Sequence, residues 1–243
     1  MERRILEMFN SKRRTFLKKT GFGLAAAGSA GLILRADARP TLSSLSETES
    51  ERVLIQMGPP PKEVVSAGEL KKVTPMPYGP FYKQGAPFRA KLCPPFEPGT
   101  PFVMTGRVWA IDTRRPLPGV VLDLWHVDHE GKYSSGDGDF KNRGRLVTTE
   151  TGYYEFESIR PIPYQPNSSD ANFWRCAHFH VLAACPGYKT LVTEIQFQDD
   201  PKRKMDQMFQ PSLAVAVERQ SVNGRKIESA VFDIVLERET DAK

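Results

Sequence analysis

Thr151-Gly152-Tyr153-Tyr154-Glu155-Phe156-Glu157-Ser158-Ile159 sets a turn dipeptide before a short run whose side chains alternate in character. Period-two alternation sends successive side chains to opposite faces, so Tyr153–Ile159 reads as a strand. Working outward, Val103–Ile111 and Val120–His126 read the same way upstream, and Ala177–Ala184 and Leu191–Gln198 do so downstream. Leu213–Val217 and Ala230–Leu236 flank Asn223-Gly224, a dipeptide that favours tight hairpin turns. No amphipathic helix longer than two turns interrupts the series. Short strands at regular spacing predict an all-β fold, an antiparallel β-sandwich with long loops and an N-terminal arm.

The chain has 243 residues, 40% hydrophobic and 26% charged, which is globular composition and excludes a fibrous repeat. A net charge of +5 and a pI near 9.1 point to an anionic partner only until the chain is divided. Residues 1–38 hold eight Lys/Arg against three acids, and the remaining residues hold 26 of each. The body is neutral and predicts no nucleic-acid partner.

The leader carries Ser11-Lys12-Arg13-Arg14-Thr15-Phe16-Leu17-Lys18, a weakly apolar stretch from Thr20 to Leu34, and Ala36-Asp37-Ala38. This resembles a twin-arginine export signal, implying a periplasmic or extracellular protein. Its apolar stretch of about 15 residues falls short of the roughly 20 that cross a bilayer, so no stable membrane anchor is expected. Residues 39–75, with the acidic run Glu47–Glu51 and Pro59-Pro60-Pro61, read as a linker or arm, and residues 76–243 as the β-sandwich domain. Three cysteines, Cys93, Cys176 and Cys185, support at most one disulfide.

His178 and His180 occupy alternate positions of a predicted strand, so both imidazoles leave the same face and can meet at one metal ion. An H-x-H pair alone is more often structural than a site. The surrounding segments add to it: Gly119 through Asp128, containing Asp123-Leu124-Trp125-His126; Gly131-Lys132-Tyr133-Ser134; Gly152 through Phe156; Ile159-Arg160-Pro161-Ile162-Pro163-Tyr164; and Arg175-Cys176-Ala177-His178-Phe179-His180. With Gly79-Pro80-Phe81-Tyr82, these segments in this order resemble the intradiol ring-cleaving dioxygenases of catechols.

The resemblance implies one non-haem Fe(III) per chain, held by Tyr133, Tyr164, His178 and His180. It makes Tyr164 an internal base that leaves the iron to take a substrate proton, and Arg175 the group that stabilises negative charge on the ring. It places Phe81, Tyr82, Arg175 and Glu194 at the substrate. The partners it implies are a small aromatic ortho-diol and O2, with a homo-oligomer as a compatible assembly. Two positions depart from the family pattern: Cys176 replaces a proline, and Glu194 replaces a glutamine. Tyr164 precedes His178 by 14 positions, which tilts the expected substrate towards protocatechuate, with catechol and hydroxyquinol also open. His126 is expected to fix a loop and His129 to lie at the surface. Two rival readings remain, a non-catalytic exported β-sandwich binding module and a zinc hydrolase built on the histidine pair.

Overall fold

The computed structural model describes residues 69–166, 170–222 and 225–239. The leader and the arm up to residue 68 lie outside the described residues, as does Asn223-Gly224 itself. Among the described residues ten strands make two sheets. The first contains β1 (Pro101–Ala110), β4 (Tyr153–Ile159), β8 (Glu218–Val222), β9 (Arg225–Val231) and β10 (Ile234–Leu236). In the second, β3 (Arg143–Val147), β2 (Val121–Trp125), β5 (His178–Ala184), β6 (Leu191–Phe197) and β7 (Ala214–Val215) follow in that spatial order.

The alternation of β4 is used as expected: Tyr154 and Phe156 are buried in the core while Tyr153 and Glu155 stay part-exposed. β4 runs antiparallel along β1, Pro101 opposite Ile159 and Arg107 opposite Tyr153. Between the sheets Phe102 meets Phe179 at 5.6 Å and Phe197 at 5.5 Å, and Phe156 meets Phe179 at 5.2 Å. Offset and edge-on ring pairs of this kind stabilise a core beyond their area alone.

The all-β sandwich is as expected, and its sheets are mixed, with parallel pairs beside the antiparallel ones. β9 and β10 both pair parallel to β1, and β7 pairs parallel to β6. A tight hairpin forces antiparallel pairing, but these partners are joined through other elements, so their direction follows how the chain crosses between sheets. The segment expected as one strand, Ala230–Leu236, breaks at Phe232-Asp233. There Asp233 accepts the Arg107 N–H at 2.8 Å and the Trp109 Nε1–H at 3.0 Å. From the described part of the arm, the Met76 N–H donates to Val192 O at 2.8 Å and the Thr193 hydroxyl to Thr74 O at 2.8 Å. All three cysteines are unpaired. No helix among the described residues is long and apolar enough to cross a membrane.

Candidate metal centre

β5 points Phe179, Val181 and Ala183 into the core, so its alternation sends His178 and His180 to the outer face of the second sheet. Neighbouring strands add a row on that face, with Trp125 and Glu194 on either side of His180 and Gln196 beside His178. Loops cover the row: Tyr133 comes from the β2–β3 loop, Tyr164 and Arg175 from the β4–β5 loop. Tyr164 and Arg175 are tied by a reciprocal backbone pair of 3.0 and 2.8 Å.

The four expected donors come together. The Nε2 atoms of His178 and His180 lie 3.1 Å apart, and the Tyr133 hydroxyl lies 3.4 Å from His178 Nε2 and 3.5 Å from the Tyr164 hydroxyl. Donors bonded to one ion at about 2.0–2.2 Å, at right-angled to tetrahedral angles, sit about 2.8–3.6 Å apart, a range into which these three neighbouring pairs fall. His178 Nδ1–H donates to Cys176 O at 2.7 Å, which leaves its Nε2 as a lone pair aimed at the centre. His180 is stacked on Trp125, 4.7 Å between centroids and 7° from parallel. Burial holds both imidazoles in the neutral, ligating form, His180 further depressed by His178. It also raises both phenols, Tyr133 well above its usual range with Tyr164 adding to the effect.

Glu194 is fully buried beside this set, with Oε1 3.8 Å from His178 Nε2 and 3.9 Å from His180 Nδ1. It lies on the Nδ1 side of His180, and the three side chains form a group whose ligand atoms are close enough to hold an ion. Both Glu194 oxygens already accept from Arg175 Nη2, at 2.6 and 2.7 Å. The carboxylate that a zinc site of two histidines and one carboxylate would draw on is thus engaged elsewhere, while the Tyr133 and Tyr164 hydroxyls stand together beside His178 Nε2. The second cluster able to hold an ion, Glu97, Asp128 and His129, receives Lys141 Nζ at 2.8 Å from Glu97 and 3.5 Å from Asp128.

Phe81 stacks on the Tyr133 ring at 4.4 Å, beside the donor set. Tyr82 is brought less close: its hydroxyl donates to Asp123 Oδ2 at 3.1 Å and its ring packs on Trp125 at 4.9 Å, one ring removed from His180. His126 is buried with Nδ1 2.7 Å from Val127 O and Nε2 2.7 Å from the Ser158 hydroxyl, and burial lowers it to about 3. It braces its loop, as its place after Trp125 suggested.

Sequence reasoning missed Asp206, which accepts from Arg175 Nε at 3.2 Å and from the Cys176 N–H at 2.8 Å. It also missed Gly79, at φ +67, where an added Cβ would stand 3.8 Å from His180 Nε2. Asp206 sits 31 positions from Arg175 with no local pattern to mark it. Gly79 had a signal, its place in Gly79-Pro80-Phe81-Tyr82.

An all-β sandwich thus brings two histidines and two tyrosines together on one sheet's outer face, a donor set fit for a metal ion. Residues 78–238 match the Dioxygenase family, and the chain belongs to the intradiol ring-cleavage dioxygenases, whose members use non-haem iron. It is 32% identical over 182 residues to a chlorocatechol 1,2-dioxygenase of Rhodococcus opacus, covering 65% of this chain and 70% of that one. It spans about half the length of other curated dioxygenases that it matches. A solved hydroxyquinol 1,2-dioxygenase from Pseudomonas putida DLL-E4 superposes with a TM-score of 0.63 at 28% identity, over 71% of this chain and 68% of that one. The dioxygenase domain of a dioxygenase carbohydrate-binding protein fusion from Streptomyces sp. SirexAA-E gives 0.59 at 29% identity, over 70% of this chain and 100% of that one.

Proposed function

We propose that this protein is a non-haem Fe(III) dioxygenase that opens an ortho-dihydroxy aromatic ring between its two hydroxyl-bearing carbons. Both atoms of O2 enter the product, a cis,cis-muconate-type diacid. The observation that carries this reading is the convergence of Tyr133, Tyr164, His178 and His180 within 3.1–3.5 Å contacts. Hard phenolate donors favour ferric iron, whereas two histidines with one carboxylate suit the ferrous ion. The two phenols and two imidazoles would hold the ion, and ferric iron there would supply the Lewis acidity that lets an ortho-diol bind as its chelating dianion and react with O2.

The chain's own residues do the rest. His178 is locked in its ligating tautomer by Cys176 O, and His180 is held in orientation by Trp125. The Tyr164 phenolate oxygen is where a diol proton is taken up, giving the neutral phenol, so that Tyr164 acts as a general base inside the site. Arg175, fixed by Glu194 and Asp206, keeps a positive charge beside the donors for the negative charge that develops on the ring. Phe81 covers one face of Tyr133 and limits water there.

The substrate class is an ortho-dihydroxy aromatic. The spacing that tilted the expectation towards protocatechuate finds no support among the relatives, which are named for chlorocatechol and hydroxyquinol. The basic leader supports export by the twin-arginine route, so the protein is expected in a periplasmic or extracellular fraction.

Turnover of catechol under isotopically heavy O2 tests the reaction. The expected product is a ring-opened diacid with one heavy oxygen in each new carboxyl group. A semialdehyde from cleavage beside the diol, or no consumption by iron-loaded protein, contradicts it.

A further inference from the structure

The charge next to the metal centre does not balance. Arg175 supplies one positive charge, and two carboxylates bind it: Glu194 through Nη2 at 2.6 and 2.7 Å, Asp206 through Nε at 3.2 Å. Side chains of all three are buried, Glu194 and Asp206 completely. The remaining contacts of Glu194 are neutral, a hydrogen bond from Gln196 Nε2 at 2.8 Å and the two imidazoles near 4 Å. Asp206 likewise gains only uncharged partners, the Cys176 side chain and the Cys176 and Met208 N–H groups, the latter two at 2.8 Å. Arg143, the other buried cation of this region, faces the Tyr133 ring at 5.9 Å and donates to Ser134 at 3.0 and 3.2 Å. Arg175 thus places a positive charge locally beside the donors, while its cluster as a whole carries one negative charge in excess, which ferric iron with two phenolates would offset for the chelating diol oxygens but not for a further anionic group on the ring.

Arg175 also has little left to offer an incoming carboxylate. A guanidinium grips a carboxylate through two adjacent N–H groups, either Nε with Nη2 or Nη1 with Nη2. Both edges include Nη2, which Glu194 already holds with both oxygens.

We propose that Glu194 is a selectivity residue that restricts this site to ortho-diols carrying no further negative charge, admitting catechol-type substrates and rejecting carboxylate-bearing, protocatechuate-type ones. This rests on the dioxygenase reading above and narrows its substrate class. Like charges brought close together in a protein interior repel by enough to change affinity about tenfold or more.

The test is anaerobic titration of iron-loaded protein with catechol and with protocatechuate, taking each Kd from the shift of the visible band. Wild type is expected to bind catechol at least tenfold more tightly. Glu194→Gln keeps the shape and removes the charge, and is expected to narrow that ratio about tenfold, chiefly by tightening protocatechuate. Asp206→Asn, which neutralises the other carboxylate, should move the ratio the same way and serves if Glu194→Gln does not fold. An unchanged ratio in both variants, an equal loss of affinity for both diols, or a wild type that prefers protocatechuate overturns the proposal. A wild type whose band responds to neither diol overturns the dioxygenase reading itself, and this inference with it.

Discussion

Gly131 stands at φ +77, and a Cβ built there would lie 2.9 Å from the Cβ of Tyr164. Both the backbone and the neighbour resist a side chain at this position. Gly131→Ala should lower stability by about 1–3 kcal/mol and shift the visible band of the iron-loaded protein, because the displaced side chain is the Tyr164 donor. Denaturant unfolding with the spectrum read in parallel checks both, and an unshifted band would show that Tyr164 is not held by this contact. That these four side chains meet was legible from residue order: alternation puts His178 and His180 on one face, and the family resemblance of the surrounding segments points to Tyr133 and Tyr164. What surrounds them was not. Trp125 reaches His180 only because β2 pairs with β5 in one particular register, Trp125 opposite His180. Asp206 reaches Arg175 from a loop beyond β6, and nothing local marks such a contact.

β2 carries a second feature with a measurable consequence. Asp123 is buried, and burial pushes its carboxyl up to about 6 against the opposing hydrogen bond from Tyr82 and the charge of Arg145. Between about pH 4 and 6 the folded chain therefore holds a proton that the unfolded chain has released, so stability falls as pH rises through that window. The loss is complete above pH 6 and amounts to about 3 kcal/mol at most. Asp123→Asn keeps an acceptor for Tyr82 and cannot ionise, so the variant should gain on wild type from about pH 4 to 6 and hold that gain above it in unfolding experiments. A constant difference across that range would contradict the assignment. Elements whose alternation is apolar against polar were read from sequence, β4 to the residue. β3 and β8 were not, because Arg143-Gly144-Arg145 and Glu218-Arg219-Gln220-Ser221 have no such alternation. β3 is a strand through its pairing with β2, and β8 through its pairing with β9.

At the scale of the whole molecule, the sandwich is a platform whose second sheet displays two histidines while two loops close over them with two tyrosines. The parallel pairings of β1 with β9 and β10 escaped the sequence because strand direction between distant segments is set by chain crossing and not by residue type. One pair thus rides on the sheet and the other on the loops, and an ion bound by all four would join all three segments. The visible spectrum of iron-loaded wild type, Tyr133→Phe and Tyr164→Phe, with iron measured in each sample and catechol then added without air, reads that arrangement. Tyrosinate on ferric iron is expected to give wild type a broad charge-transfer band that shifts when the diol binds. Each variant should keep at most part of that band, and the double variant none. A wild type that holds iron yet stays colourless, or a band that survives loss of both phenols, would contradict the two-tyrosine centre.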